Sequence, residues 1–264
     1  MRQGNLPNVL SLFYLPSAEH IHTSFYSPGA FTWPAPEGQA PVTNSLTELD
    51  LGIPIRAYHL SSVLSVAPRL TSLRWDWYHE GVTTPYGDDK AIDLDEIAAA
   101  LSVVRETLST LVITARCMFG ANKQFPESSS RGSLQLLADF PSMKRLQAPI
   151  AFLMGWSRHK IPWGLADVVP RTIESLTIMD NLWYHHNGYI WNEQAMLEEI
   201  KAWLAKPERL PPNLRYFQVL LKSTPNIGLE SVSDEFTALG ARAGVKVEVS
   251  RQRRTCSLKW SHPG

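Results

Sequence analysis

The segment NSLTELDL at residues 44–51 sets leucines at 46, 49 and 51. Close variants return along the chain as RLTSLRWD, TLSTLVIT, TIESLTIM and NLRYFQVL. Aligned on the first apolar residue, they share one template: apolar, two variable, apolar, one variable, apolar. It fits Val9/Leu12/Tyr14, Leu46/Leu49/Leu51, Leu70/Leu73/Trp75, Leu108/Leu111/Ile113, Met143/Leu146/Ala148, Ile173/Leu176/Ile178 and Leu214/Phe217/Val219. The last two members of each triplet alternate with period two, as a short strand with one buried face requires. The first member turns into the same core from the preceding bend. Val245/Val247/Val249 keeps the alternation without the leading residue and is expected to form an end strand.

Successive phrases begin about 24 to 41 residues apart, within or somewhat beyond the range of stacked repeats. Helical patterns lie between them. LDEIAAALSVVRETL puts Leu94, Ile97, Leu101 and Val104 on one face, with Asp93, Asp95 and Glu96 where the helix dipole favours carboxylates. NEQAMLEEIKAWLAK does the same with Leu197, Ile200 and Leu204. SVSDEFTALGARAG opens on a capping-like Ser231…Asp234 pair and closes at Gly244. HLSSVLSVAP, SLQLLADFP and GLADVVP are shorter candidates, each stopped by a proline. Strand, loop, helix, strand at this spacing predicts parallel strands, because parallel neighbours need a crossover. A single unit leaves one apolar face wet. Stacking buries those faces, each large side chain contributing roughly 1.5–3 kcal/mol.

Through its Leu-x-x-Leu-x-Leu phrases the chain resembles the leucine-rich-repeat family. Through Pro68-Arg-Leu-Thr-Ser-Leu73 and Pro212-Asn-Leu-Arg-Tyr-Phe217 it is similar to the irregular repeat halves of fungal F-box proteins, over about residues 6–250. The resemblance implies an α/β fold, a right-handed leucine-rich-repeat-like solenoid of about seven repeats with a parallel sheet on the concave side and irregular helices on the convex side. It implies one such unit over 1–250, followed by a basic, flexible tail at 251–264. It further implies a non-enzymatic protein–protein interaction module, the substrate-recognition part of an F-box-like ubiquitin-ligase subunit. No F-box is expected in the chain, which enters its first phrase at once at Leu6-Pro-Asn-Val-Leu10. The family places Asn or Cys eight positions after the first leucine. Only Asn181 satisfies that here, and Pro54, Tyr78, Arg116 and Lys222 stand in equivalent places, so a regular asparagine ladder is not expected. The competing reading of the leucine pattern is a doubly wound α/β domain, against which stands the lack of a glycine-rich strand-to-helix turn.

Charge excludes one class of partner. Lys+Arg and Asp+Glu are 25 each, which removes the electrostatic footprint of a nucleic-acid binder. The one basic run, Arg251–Arg254, reads as solvated tail. Cys117 and Cys256 are too few for a disulfide framework and favour a reducing compartment. No stretch approaches the ~20 apolar residues that span a bilayer. The expectation is a soluble protein of the cytoplasm or nucleus with a protein partner, without nucleic acid or membrane.

Between the last two apolar members of each triplet, one residue faces away from the core. That column is Asp50, Arg74, Val112, Gln147, Thr177 and Gln218. Three aromatic segments follow strands: RWDWYHE, MGWSRHKIPWG and NLWYHHNGYIW. Arginine and aromatic clusters of this kind anchor interfaces. The candidate partner contacts are Arg74, Asp76, Trp77, His79, Gln147, Trp156, Trp183, Tyr184 and His185. Two readings compete with this one. The rings fold back to cap the core, or they roof a pocket in an enzyme or small-ligand carrier. No catalytic, metal or cofactor site is expected. His185 and His186 are adjacent and face opposite ways, so they make a poor chelating pair. Cys117 beside Arg116 lacks a positioned histidine and reads as a structural thiol. Glu198-Glu199 reads as a solvated helix face, and the loops at 81–90 and 122–131 and the proline-rich stretch 28–41 as surface excursions.

Overall fold

A computed structural model describes residues 9–24, 32–34, 39–52, 57–80, 91–118, 129–155, 163–180, 191, 193–222 and 229–252. Ten strands are present among them: β1 His20–Ser24, β2 Glu48–Gly52, β3 Ser72–Glu80, β4 Ala91–Asp93, β5 Thr110–Met118, β6 Ser129–Arg131, β7 Arg145–Pro149, β8 Ser175–Met179, β9 Tyr216–Lys222 and β10 Lys246–Gln252. Eight of them make one sheet in the order β1-β2-β3-β5-β7-β8-β9-β10, and β4 pairs with β6 separately. Every pairing is parallel. Strand order never doubles back on chain order, so the sheet has no topological switch point, the feature around which a doubly wound domain is built.

Register explains the recurring triplets. Ile21, Leu49, Leu73, Leu111, Leu146, Leu176, Phe217 and Val247 are aligned partners across all eight strands. All are buried, and with the leading residues Leu46, Leu70, Leu108, Met143, Ile173 and Leu214 they join a single core. The helices supply the rest of that core: α1 Ala57–Leu64, α2 Leu94–Ser102, α3 Ile150–Met154, α4 Glu193–Leu204 and α5 Leu229–Ala243. α2 buries Leu94, Ile97 and Leu101, and Asp93 caps it by accepting from the N–H groups of Asp95 and Glu96. α4 buries Met196, Leu197, Ile200, Trp203 and Leu204.

The first phrase departs from expectation. Ser11–Tyr14 is a 3-10 helix, in which Phe13 is buried while Leu12 and Tyr14 stand exposed. The true first unit is Ala18/Ile21/Thr23, which has the same spacing but carries a small and a polar member. Pro16 and the run of bulky residues before it favour a tight turn over an extended strand. Smaller departures follow. SLQLLADFP and GLADVVP form 3-10 helices at Gln135–Asp139 and Leu165–Asp167. α5 begins at Leu229, so Ser231 and Asp234 lie inside the helix and do not open it. Arg251, expected in a flexible tail, belongs to β10, and its guanidinium sits 3.2 Å from Glu193 at the start of α4.

Hydroxyls at the strand entrances take the place of an asparagine ladder. The N–H groups of Thr47 and Glu48 both reach the Glu19 carbonyl, at 2.9 and 3.0 Å. Thr71 and Ser72 repeat this on Thr47, Ser109 and Thr110 on Thr71, Lys144 and Arg145 on Ser109, Glu174 and Ser175 on Lys144, and Arg215 and Tyr216 on Glu174. Side chains thicken the ladder. Thr47, Thr71 and Ser109 donate their hydroxyls to the same carbonyls. One position before the leading residues Leu46, Leu108 and Ile173, Ser45, Thr107 and Thr172 donate to Ala18, Leu70 and Met143 of the preceding unit. Backbone oxygens at the bends are thus paired rather than left bare.

Two comparisons test this architecture. Leu111→Asp places an unpaired charge in the core and is expected to cost more than about 4 kcal/mol, whereas Gln218→Ala stays within about 0.5 kcal/mol in urea unfolding. Comparable losses would reverse the inward and outward assignment. At the other end, a Cβ on Gly240 would meet Val247 Cγ2 at 2.4 Å and the Val245 carbonyl at 2.5 Å, while Gly244, at φ +71°, has open space around it. Gly244→Asn, compatible with left-handed backbone, is therefore expected to lose little stability. Gly240→Asn overpacks the α5–β10 contact and is expected to lose about 1–3 kcal/mol or more.

Candidate interaction surface

Alternation along the strands gives the sheet a second face. Opposite the core, His22, Asp50, Arg74, Val112, Gln147, Thr177, Gln218 and Glu248 form one in-register row across all eight strands. Two residues earlier runs a second row: His20, Glu48, Ser72, Thr110, Arg145, Ser175, Tyr216 and Lys246. The face is not uniformly open. Val112, Thr177 and Met179 are only 4%, 5% and 1% exposed, so its middle is closed towards the strand ends. Its two flanks and its strand-entry margin remain exposed, including His22, Glu48, Arg74, Arg145, Lys246 and Glu248.

Neighbouring strands are cross-linked by polar side chains. His22 Nδ1 lies 2.8 Å from Asp50 Oδ2, and His20 Nδ1 lies 3.6 Å from Glu48 Oε2. The Thr114 hydroxyl donates to Asp76, and Gln147 Nε2 donates to Met179 Sδ at 3.1 Å. At the far flank the Tyr216 hydroxyl donates to Glu248 at 2.8 Å, with Lys246 Nζ 5.7 Å from the Tyr216 ring centre. Burial, then the bond and the negative charge of Glu248, raise the Tyr216 phenol above its ordinary value of 10.0.

Of the nine residues expected to contact a partner, Arg74, Asp76 and Gln147 share this face. Arg74 is exposed and makes no hydrogen bond or ion pair among the described residues, whereas Asp76 and Gln147 are half-buried and bonded as above. Trp77 is a correction. It has the parity of Leu73 and Trp75, so it turns inward, is 8% exposed, and packs edge-on against Phe152 of α3 at 5.7 Å. The backbone of His79 pairs with Cys117, but its side chain lies outside the described residues, as do Trp156, Trp183, Tyr184 and His185. The other described rings of the aromatic segments face the core. Trp191 is fully buried and donates its indole N–H to the Gly155 carbonyl at 2.7 Å, and Trp163 packs on the core margin. His20, His22, Glu48, Tyr216 and Glu248 went unread, the first two because the opening triplet was placed nine residues too early. The only signal for the two histidines was His-Ile-His-Thr itself, an alternation with one weakly apolar face.

On the helix side, a cleft of ≈ 440 Å³ is lined by Asp95, Ser133, Gln135, Leu136, Asp139, Trp163 and Asp167. Two of its carboxylates are already engaged. Asp95 accepts from the Ser133 N–H at 3.1 Å, and Asp167 accepts from the Gly164 N–H at 2.8 Å. Among the described residues no three His, Cys, Asp or Glu side chains converge as metal ligands, and no helix is long and apolar enough to cross a membrane.

No family model, curated protein or solved structure matches the chain. Its function is therefore argued from its own surface.

The Tyr216–Glu248 pair carries a pH test. Because the folded state holds the Tyr216 proton above pH 10, where the unfolded chain releases it, stability falls as pH rises from about 10 through the folded value. Glu248→Gln removes the charge that helps to raise the phenol. The Tyr216 ionisation, isolated as the difference between each protein and its Tyr216→Phe counterpart at 295 nm, is expected to move back towards pH 10.

Proposed function

We propose that this protein is a non-enzymatic protein-interaction module, a right-handed leucine-rich-repeat-like solenoid that engages a protein partner through its exposed sheet face. By family analogy, it serves as the substrate-recognition half of an F-box-like ubiquitin-ligase subunit. One observation carries the reading. An in-register row, polar at every position but Val112, runs across eight parallel strands whose opposite face is filled by core. Such a surface offers many separately adjustable positions on a rigid support, which suits recognition of another protein surface better than enclosure of a small substrate. Exposed Arg74, flanked by Asp50 in register and Asp76 on its own strand, is the side chain best placed to contribute to specificity there.

The second reading, a small-ligand carrier, is favoured by the cleft beside Trp163. The two readings separate experimentally. Arg74→Glu leaves the core untouched and is expected to keep the melting temperature. It is also expected to weaken, by about tenfold or more, capture of whichever protein the native chain recovers from its own cell extract. Equal capture by both forms would reject the sheet face as the contact. A melting temperature raised by a metabolite in a thermal-shift screen, and abolished by Trp163→Ala, would favour the cleft instead.

A further inference from the structure

Adjacent residues on a strand face opposite ways, but residues two apart face the same way, about 6.6 Å from each other along the chain. His20 and His22 stand in that relation on β1, the first strand of the sheet. Both are open to solvent, with side chains 57% and 49% exposed. Each faces a carboxylate in register on β2, His20 opposite Glu48 and His22 opposite Asp50. The His22 Nδ1–Asp50 Oδ2 distance of 2.8 Å is that of a hydrogen bond, and His20 Nδ1–Glu48 Oε2 at 3.6 Å is an ion-pair contact. With the proton on Nδ1, the carboxylate orients the ring, and Nε2 keeps its lone pair. This is the arrangement in which histidines hold metal ions.

We propose that His20 and His22 form a two-imidazole site for an exchangeable divalent late-transition-metal ion, copper or zinc, with Asp50 and Glu48 orienting the rings. With each Nδ1 turned to its carboxylate, the Nε2 atoms of the half-exposed rings are left to bind one ion at the 2.0–2.1 Å usual for zinc–imidazole bonds. Since no group of three His, Cys, Asp or Glu among the described residues is placed to hold a metal ion, water or a partner's side chain completes the coordination. Copper binds more tightly than zinc at such nitrogen donors. The site stands independently of the protein-interaction reading.

The test is titration of the whole 264-residue chain with Cu²⁺ and with Zn²⁺, followed by calorimetry and, for copper, electron paramagnetic resonance. One equivalent is expected to bind, tighter for Cu²⁺, with hyperfine structure from two nitrogens. The H20Q/H22Q double variant is expected to lose that equivalent at an unchanged melting temperature. The single variants H20Q and H22Q, each expected to lose the two-nitrogen signal, serve if the double variant folds poorly. D50N is expected to weaken binding about 10–100-fold. Undiminished binding in the histidine variants would place the ion elsewhere among the chain's 8 histidines and overturn the site, as would the absence of saturable binding. Undiminished binding in D50N would remove the orienting role of the carboxylate.

Discussion

Each strand of the main sheet from β2 to β9 enters it by placing two successive N–H groups on one carbonyl of the unit before it. From Glu19 through Glu174 that carbonyl is always the residue after the leading apolar one. The bond fixes register, and register fixes everything lateral. If a strand slipped by one residue, its apolar members would turn to water and its polar ones to the core. The same lock aligns the inward row from Ile21 to Val247 and the outward row from His22 to Glu248. Fold and candidate surface are therefore two consequences of one hydrogen-bonding habit.

Most of the architecture was legible because burial on a half-covered sheet writes itself as alternation. Six of the seven triplets with a leading residue, and the end strand at Lys246–Gln252, are where the pattern put them. The first unit was misplaced because Ala18 and Thr23 carry so little apolar surface that the richer Val9–Leu15 segment outweighed them. The hydroxyl ladder was hidden for another reason. Single serines and threonines are common, and only when units are aligned on their leading residues do Ser45, Thr107 and Thr172 fall in one column. The pairing of Ala91–Asp93 with Ser129–Arg131 depends on two insertions meeting in space, which no local spacing reveals.

The surface was half legible. Parity alone places Arg74, Asp76 and Gln147 outward and Trp77 inward, yet a preference for aromatic residues as anchors set parity aside for Trp77. Composition marks tryptophan as an interface residue and as a core residue alike, and only its position on the strand decides between them. The described rings Trp75, Trp77 and Trp191 all settle inward.

The pairing between β5 and β7 runs only from Thr110 and Arg145 to Val112 and Gln147, whereas β3 and β5 stay together over nine residues. Beyond that point β7 ends at Pro149, and α3 brings Phe152 against Trp77. The backbone ladder of the main sheet is thus shortest at β5–β7, and beyond it the strand ends are held by ring packing rather than by backbone bonds. Under tension or dilute denaturant such a body is expected to part first at this seam, into a front of four strands, β1, β2, β3 and β5, and a rear of four, β7 to β10.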